Sequence, residues 1–263
     1  MNLGFIGAGN MASAILSGVL AKKLIPAEHI WMSNRSPEKL RAPAAGGVNT
    51  TLDNGEVARR ADVLILAVKP QMFDDVLPGI AEYVTGKCVV SIAAGISIHY
   101  LEQQLPGALV MRAMPNTPMQ VGLGMTALVE APKVPASTFA LVSQLFAAAG
   151  DVAVISEAQV DTIISVSGST PAFFFRMADA IATCAAADGL DPQLALRMAA
   201  KTMAGSAAML LSGTASAKEL TRQVCSPGGT TLAALSAFDE ADFEGMIAEA
   251  VARCKARSQE LGR

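Results

Sequence analysis

Apolar residues in the first 156 positions come in short runs, "NLGFIGA", "HIWMSNR", "VNTTL", "DVLILAV", "CVVSIAA" and "ALVMRAM", separated by stretches with helical spacing. Those stretches predict helices over 10–23, 37–45, 55–60, 73–84 and 97–104. Strands alternating with helices imply βαβ units, hence a parallel sheet with helices on both faces. "DVLILAV" is apolar at consecutive positions, as a central strand covered on both sides must be. "GMTALVEA" and "DVAVIS" read as closing strands of the same sheet. From about 157 onward the spacing is helical throughout, broken at 168–171, 189–192, Gly213 and 227–229. The expected architecture is α/β: an N-terminal Rossmann-type dinucleotide-binding domain over 1–157, then an all-helical dimerisation domain over 158–263. The alanine-rich faces of 171–188 and 192–212 suit close packing against a second subunit.

Composition sharpens this picture. The chain of 263 residues is 52% hydrophobic and 16% charged, with mean hydropathy +0.41. Such an excess of apolar residues calls for extra buried surface, most simply in a homo-oligomer. A net charge of −3 with no Lys/Arg cluster gives no field to attract nucleic acid or an anionic membrane. Cys88, Cys184, Cys225 and Cys254 lack CxxC spacing, and the chain has only His29 and His99, so no metal site is expected. The first residues lack the positive segment of a secretory signal, and Gly4, Gly7, Gly9 and Asn10 interrupt their apolar stretch. No run reaches the roughly 18 apolar residues of a membrane span. A cytoplasmic enzyme or binding protein is expected.

"GFIGAGNMA" puts Gly7, Gly9 and Ala12 in the GxGxxG/A spacing between the first strand and the first helix. The first glycine makes the turn, the second lets a pyrophosphate approach the backbone, and Ala12 keeps helix and strand close. After the second strand comes Ser33-Asn34-Arg35-Ser36, with no carboxylate to repel a ribose 2′-phosphate. Arg35 offers a permanently charged fork. NADP(H) is therefore expected over NAD(H), with Arg35 as a solvated turn residue the alternative. Lys69 in "AVKPQ" either meets phosphate or caps its loop. "SIAAGIS" supplies small residues that let a nicotinamide ring lie against backbone, and Asn116 in "MPNTP" and the neighbouring backbone are expected to meet its carboxamide.

"CSPGGTT", 225–231, breaks the helical half with two glycines after a proline. It reads either as an interhelix turn or as an anion cradle, since its glycine N–H groups and hydroxyls suit a carboxylate.

The ordered set "IGAGNMA", "SNRS", "AVKPQ", "SIAAGIS", "MPNTP", "VSGSTPAF" and "CSPGGTT", spread over nearly the whole chain, closely resembles the pyrroline-5-carboxylate reductases. The resemblance implies NAD(P)H-dependent reduction of 1-pyrroline-5-carboxylate to L-proline, the last step of proline biosynthesis. It also implies a dimer of intertwined helices, assembled in some members into a larger ring, here expected as a decamer of dimers. Dinucleotide contacts carry over to Gly7, Gly9, Asn10, Met11, Asn34, Arg35, Asn54, Ala67, Lys69 and Ala93. Substrate contacts carry over to Ser226, Gly228, Gly229, Thr230 and Thr231, with Thr231 as the catalytic hydroxyl beside the ring nitrogen.

The residues agree through an absence. Ketone reduction usually needs a positioned His, Lys or Tyr, and the helical half has no histidine. A cyclic imine carries its own basic nitrogen, so the protein has mainly to orient it and hold its carboxylate. Two other readings compete. A β-hydroxyacid dehydrogenase would carry a lysine where "VSGSTPAFFFRMADA" has none. In a non-catalytic NADP(H)-binding scaffold, "CSPGGTT" would be only a turn.

Overall fold

All four residues of β1 (Leu3–Ile6) are buried, as in a strand covered on both faces. The structure, a computed structural model, describes residues 1–262. After β1 come α1 (Asn10–Ala21), β2 (Ile30–Ser33), α2 (Arg41–Ala45), β3 (Asn49–Thr51), α3 (Asn54–Arg60) and β4 (Val63–Leu66). They are followed by α4 (Phe73–Val76), β5 (Cys88–Ser91), α5 (Ile98–Gln104), β6 (Leu109–Met114), β7 (Gly124–Val129), α6 (Ala136–Ala147) and β8 (Gly150–Ile155). The eight strands form one sheet in the order β3-β2-β1-β4-β5-β6-β7-β8. This is the doubly wound order, whose direction of winding reverses between β1 and β4.

Period-two alternation sends neighbouring residues to opposite faces. Leu3, Phe5, Val63, Ile65 and Val90 pack with Ile15 and Val19 of α1 and Val142, Leu145 and Phe146 of α6. Ile6, Leu64, Leu66, Val89 and Val110 pack with Val57, Phe73, Val76 and Leu101 from α3, α4 and α5.

Three features depart from the sequence expectation. β6 and β7 are antiparallel, because residues 115–123 between them are too few for a parallel crossover of about a dozen or more. The helix expected over 73–84 stops at Val76 and resumes only as a 3-10 turn at Ala81–Tyr83. Pro78 has no N–H to donate and Gly79 adds backbone freedom, so the helix cannot continue. α6 was not expected; its core face is the i, i+3, i+4 set Val142, Leu145 and Phe146.

Beyond the sheet lie α7 (Val160–Ile163), a π-helical turn (Ile164–Gly168), α8 (Thr170–Ala187), α9 (Pro192–Leu211), α10 (Ala217–Val224), α11 (Thr230–Glu240) and α12 (Phe243–Glu260). The chain divides into two compact units: Met1–Ser169 with the end of the chain from Cys254, and Thr170–Arg253. The first unit runs past 157 because Val160, Ile163 and Ile164 pack on Met114, Val129 and Ile155. The end of α12 joins it through Ser258 Oγ, which donates to Asp161 Oδ1 at 2.6 Å. Cys254 Sγ likewise donates to Ser169 Oγ at 3.2 Å.

In the second unit, Asp191 caps α9 by accepting from the Leu194 amide at 2.8 Å, and α8 packs along α9. Few of its residues are covered. α9, twenty residues long, buries only Ala195, and α10 and α11 bury none. Phe174, Phe175, Ile181, Met198, Leu211 and Phe238 are exposed.

Among the described residues no helix is long and apolar enough to cross a membrane. No three His, Cys, Asp or Glu side chains in them gather to hold a metal ion. The four cysteines are free, and burial pushes the Cys88 thiol up to about 12, which leaves it a core side chain.

Candidate functional site

Register aligns Ile6, Ser33, Leu66 and Ser91, the last residues of β1, β2, β4 and β5, along one edge of the sheet. The backbone leaving that edge carries Gly7, Asn34, Ala67 and Ala93, four of the expected dinucleotide residues. Gly7 turns at φ +103°, and a Cβ there would lie 2.6 Å from the Ala67 carbonyl oxygen. Its amide donates to Ser33 O at 2.9 Å, and the Ala8 amide to Asn34 Oδ1 at 3.2 Å. Ser33 Oγ donates to Asn54 Oδ1 at 2.7 Å, tying the first residue of α3 into the same edge. Gly7, Asn34 and Asn54 thus form one hydrogen-bonded frame around the turn.

Gly9 is the N-cap of α1 in an extended conformation, with no side-chain cap. No atom lies within 4 Å of where its Cβ would be. The first amide to bond back into the helix is that of Ser13, to Gly9 O at 2.9 Å. The amides of Asn10, Met11 and Ala12 therefore open at the positive end of a twelve-residue helix beside free space. That geometry fits the pyrophosphate of a dinucleotide. Asn10 is exposed and Met11 half-buried against the core.

Arg35 and Lys69 are exposed, and neither forms an ion pair among the described residues. Lys69 opens a 3-10 turn through its backbone, its carbonyl accepting from Met72 N at 2.9 Å. The ammonium is not used for capping. Ala93 is buried, its amide donating to Ser91 Oγ at 3.2 Å.

Asn116 is placed differently from the expectation. Its side chain is internal, with Oδ1 accepting from Met125 N at 2.9 Å and Nδ2 donating to Ser167 O at 3.1 Å. The residue clamps the loop before β7 to the π-helical turn, so its carboxamide is already committed. Sequence reasoning placed Ser33 and Ser91 at this edge but gave neither hydroxyl a role, although each is the single polar residue closing an apolar strand, "IWMS" and "CVVS". Arg112 within "LVMRAM" of β6 was missed as well. It is buried and pairs with Glu157 at 3.3 Å. Burial lowers its pKa, and Glu157 and then Asp161 oppose the shift.

In the helical unit, the Gly229 amide donates to Ser226 O at 3.0 Å, closing a turn that passes through Gly228 at φ +68°. A Cβ on Gly229 would overlap Ser226 Oγ. Gly229 N-caps α11 without a side-chain cap, so Thr230 and Thr231 are its first two residues. The first return bond is Ala233 N to Gly229 O at 3.3 Å. Among the described residues the amides of Thr230, Thr231 and Leu232 have no backbone acceptor. Of the expected pair of glycine amides, that of Gly229 closes the turn, while that of Gly228, like those of 230–232, has no backbone acceptor among the described residues.

Two family models match the chain: pyrroline-5-carboxylate reductase dimerisation over residues 157–261, and NADP oxidoreductase, coenzyme F420-dependent, over residues 2–95. The chain is 36% identical to a pyrroline-5-carboxylate reductase of Escherichia coli strain K12 over 264 residues, 99% of this chain and 98% of the relative. It is 39% identical to one from Vibrio alginolyticus over 265 residues, 98% of this chain and 97% of the relative. A solved pyrroline-5-carboxylate reductase structure from Coxiella burnetii superposes with TM-score 0.91 at 34% identity, covering 100% of this chain and 98% of the other. The Plasmodium falciparum pyrroline carboxylate reductase with NADP bound gives TM-score 0.92 at 27% identity, covering 100% and 98%. Likeness of this extent over the whole of both chains shows that the protein belongs to the pyrroline-5-carboxylate reductase family.

Proposed function

We propose that this protein reduces 1-pyrroline-5-carboxylate to L-proline, with NADP(H) as its preferred dinucleotide and NAD(H) as the weaker one, and that it works as a homodimer. The observation that carries the reading is the start of α11, where the open amides of 230–232 follow directly on a turn whose sequence supplies the hydroxyl residues Ser226, Thr230 and Thr231. A helix N-terminus of this kind suits a small carboxylate, the group an imino acid presents.

The dinucleotide would be held by the α1 amides, the Gly7-Asn34-Asn54 frame, Lys69 and Ala93, and when bound it supplies the hydride. The substrate's imine nitrogen is basic, and once protonated it makes its neighbouring carbon electrophilic. The C=N bond then takes one hydride at carbon, and the nitrogen keeps its proton as the amine of proline. The 226–231 turn grips the carboxylate through its amides and hydroxyls, and Thr231 Oγ hydrogen-bonds the ring nitrogen. With no histidine in this half of the chain, orientation does most of the work.

The direct test mixes purified protein, NADPH and 1-pyrroline-5-carboxylate and follows loss of nicotinamide absorbance. Turnover is expected; silence with this and related cyclic imines, together with measurable NADPH binding, would favour the scaffold reading instead. A neutral hydroxyl is a weak acid near neutral pH, so Thr231→Ala should lower kcat by about ten- to a hundredfold without abolishing it. Total loss of activity in a folded variant would contradict the orienting role. Arg35 decides between the two dinucleotides. Arg35→Ala should raise KM for NADPH about tenfold and leave that for NADH nearly unchanged, the cost of one charge-assisted bond to the 2′-phosphate. Equal effects on both would remove Arg35 from cofactor choice.

A further inference from the structure

Residues 92–97, "IAAGIS", leave β5 as a loop with almost no side-chain means of holding its own shape. Ser97 caps α5 by accepting from the Tyr100 amide at 3.0 Å. The rest is aliphatic or glycine, so neighbours must set the conformation. At the start of the loop, Ser91 Oγ accepts from the Ala93 amide at 3.2 Å. In the middle, Gly95 at φ +76° lies directly under the Leu261 carbonyl, which leaves no room for a Cβ. At its end, Glu157 Oε1 accepts from the Ile98 amide at 2.8 Å. That oxygen also accepts from Arg112 Nη1 at 3.3 Å, and Arg112 lies beside Ser91 in the β5–β6 register.

Arg112 is 6% exposed, and its Nε has no hydrogen-bond partner among the described residues. A buried ion pair is a poor way to gain stability, since apolar side chains of similar volume usually do as well or better. An incompletely bonded one is poorer still. The pair does, however, hold the carboxylate of Glu157, whose side chain is 39% exposed, at one place. There it fixes the Ile98 amide and the end of the loop.

We propose that Arg112 and Glu157 are positioning residues for the dinucleotide: the pair clamps the 92–97 loop, by way of the Ile98 amide, in the shape that receives the nicotinamide end. This rests on the assignment of Ala93 to the cofactor site. Neither side chain touches the reacting atoms. Arg112 orients Glu157, and Glu157 orients the loop.

The test uses the full chain in its native assembly and three variants, Glu157→Ala, Glu157→Gln and Arg112→Met. Affinity for NADPH is read from its fluorescence without substrate, and amide hydrogen exchange is read over 92–98. Glu157→Ala should weaken NADPH binding about tenfold, the loss expected for a hydrogen bond to a charged group. Its KM for NADPH should rise in parallel, its kcat and KM for the imine should stay close to those of the parent, and exchange over 92–98 should quicken. Glu157→Gln keeps an acceptor oxygen for the Ile98 amide and should recover most of the affinity. Arg112→Met, where it folds, should resemble Glu157→Ala. Unchanged NADPH affinity and unchanged exchange over 92–98 in Glu157→Ala, with only a lower melting temperature, would overturn the clamp. Gly9→Ala, measured alongside, separates the two layers: if its affinity is also unchanged, the dinucleotide site itself is misplaced, whereas loss in that variant alone rejects only the clamp.

Discussion

Replacing Gly9 with alanine is expected to leave the protein folded while weakening dinucleotide binding about a hundredfold, as two charge-assisted contacts would be lost together. The two halves of this result have separate causes. Gly9 has an ordinary extended backbone, φ −81° and ψ 175°, and nothing lies within 4 Å of its missing Cβ. A methyl group is therefore accommodated in the free protein. The same methyl occupies the space through which a pyrophosphate must reach the amides of 10–12. Gly7 is the control. At φ +103°, with the Ala67 carbonyl 2.6 Å from the Cβ position, Gly7→Ala should cost about 2 kcal/mol or more of stability, a strain that exists before any ligand binds. Thermal melting and NADPH titration of the two variants together check this. A Gly9→Ala protein that melts early but binds NADPH normally would reverse the assignment.

Placing acidic residues on the uncovered helices, as Phe175→Asp with Leu211→Asp, should give a monomer that no longer reduces the imine but still binds NADPH. Phe175 is 67% and Leu211 84% exposed, and a twenty-residue helix that packs along α8 yet buries one residue gains only part of the cover it needs from its own chain. Burying side chains of this size contributes about 1.5–3 kcal/mol each, and two-fold symmetry makes every substitution count twice. Without that cover, α8–α11 and the 226–231 turn they carry would lose their support. The glycine loop belongs to the other compact unit, whose sheet core is complete in itself. Sedimentation and native mass spectrometry read the dimer and any ring of dimers, and NADPH fluorescence reads the surviving site. A double variant that turns over normally as a monomer would contradict the proposed assembly.

Much of the fold could be read directly. "DVLILAV" became a central strand because consecutive apolar residues need cover on both faces. The glycine loop fell between β1 and α1 because its spacing is itself a local backbone instruction. "CSPGGTT" was legible as a turn before a helix for the same reason. The helix expected over 73–84 shows the limit of periodicity, since Pro78 and Gly79 sat inside an acceptable apolar pattern. Asn116 shows another. Its residue type suits a carboxamide partner, and only the positions of Met125 N and Ser167 O reveal that both ends are taken.

What the sequence alone determined was local: where most strands and helices lie, which residues line the two ends of a turn, and which chemistry their types permit. Those properties depend on neighbours within a few positions, so they are written along the chain. The tertiary structure decided the strand order, the antiparallel β6–β7 pair, and the frame joining Ser33 to Asn54. It also decided that Glu157, 45 positions from Arg112 and 59 from Ile98, would hold both with one oxygen. Such contacts follow from register and burial, which bring distant residues together only once the whole sheet has formed.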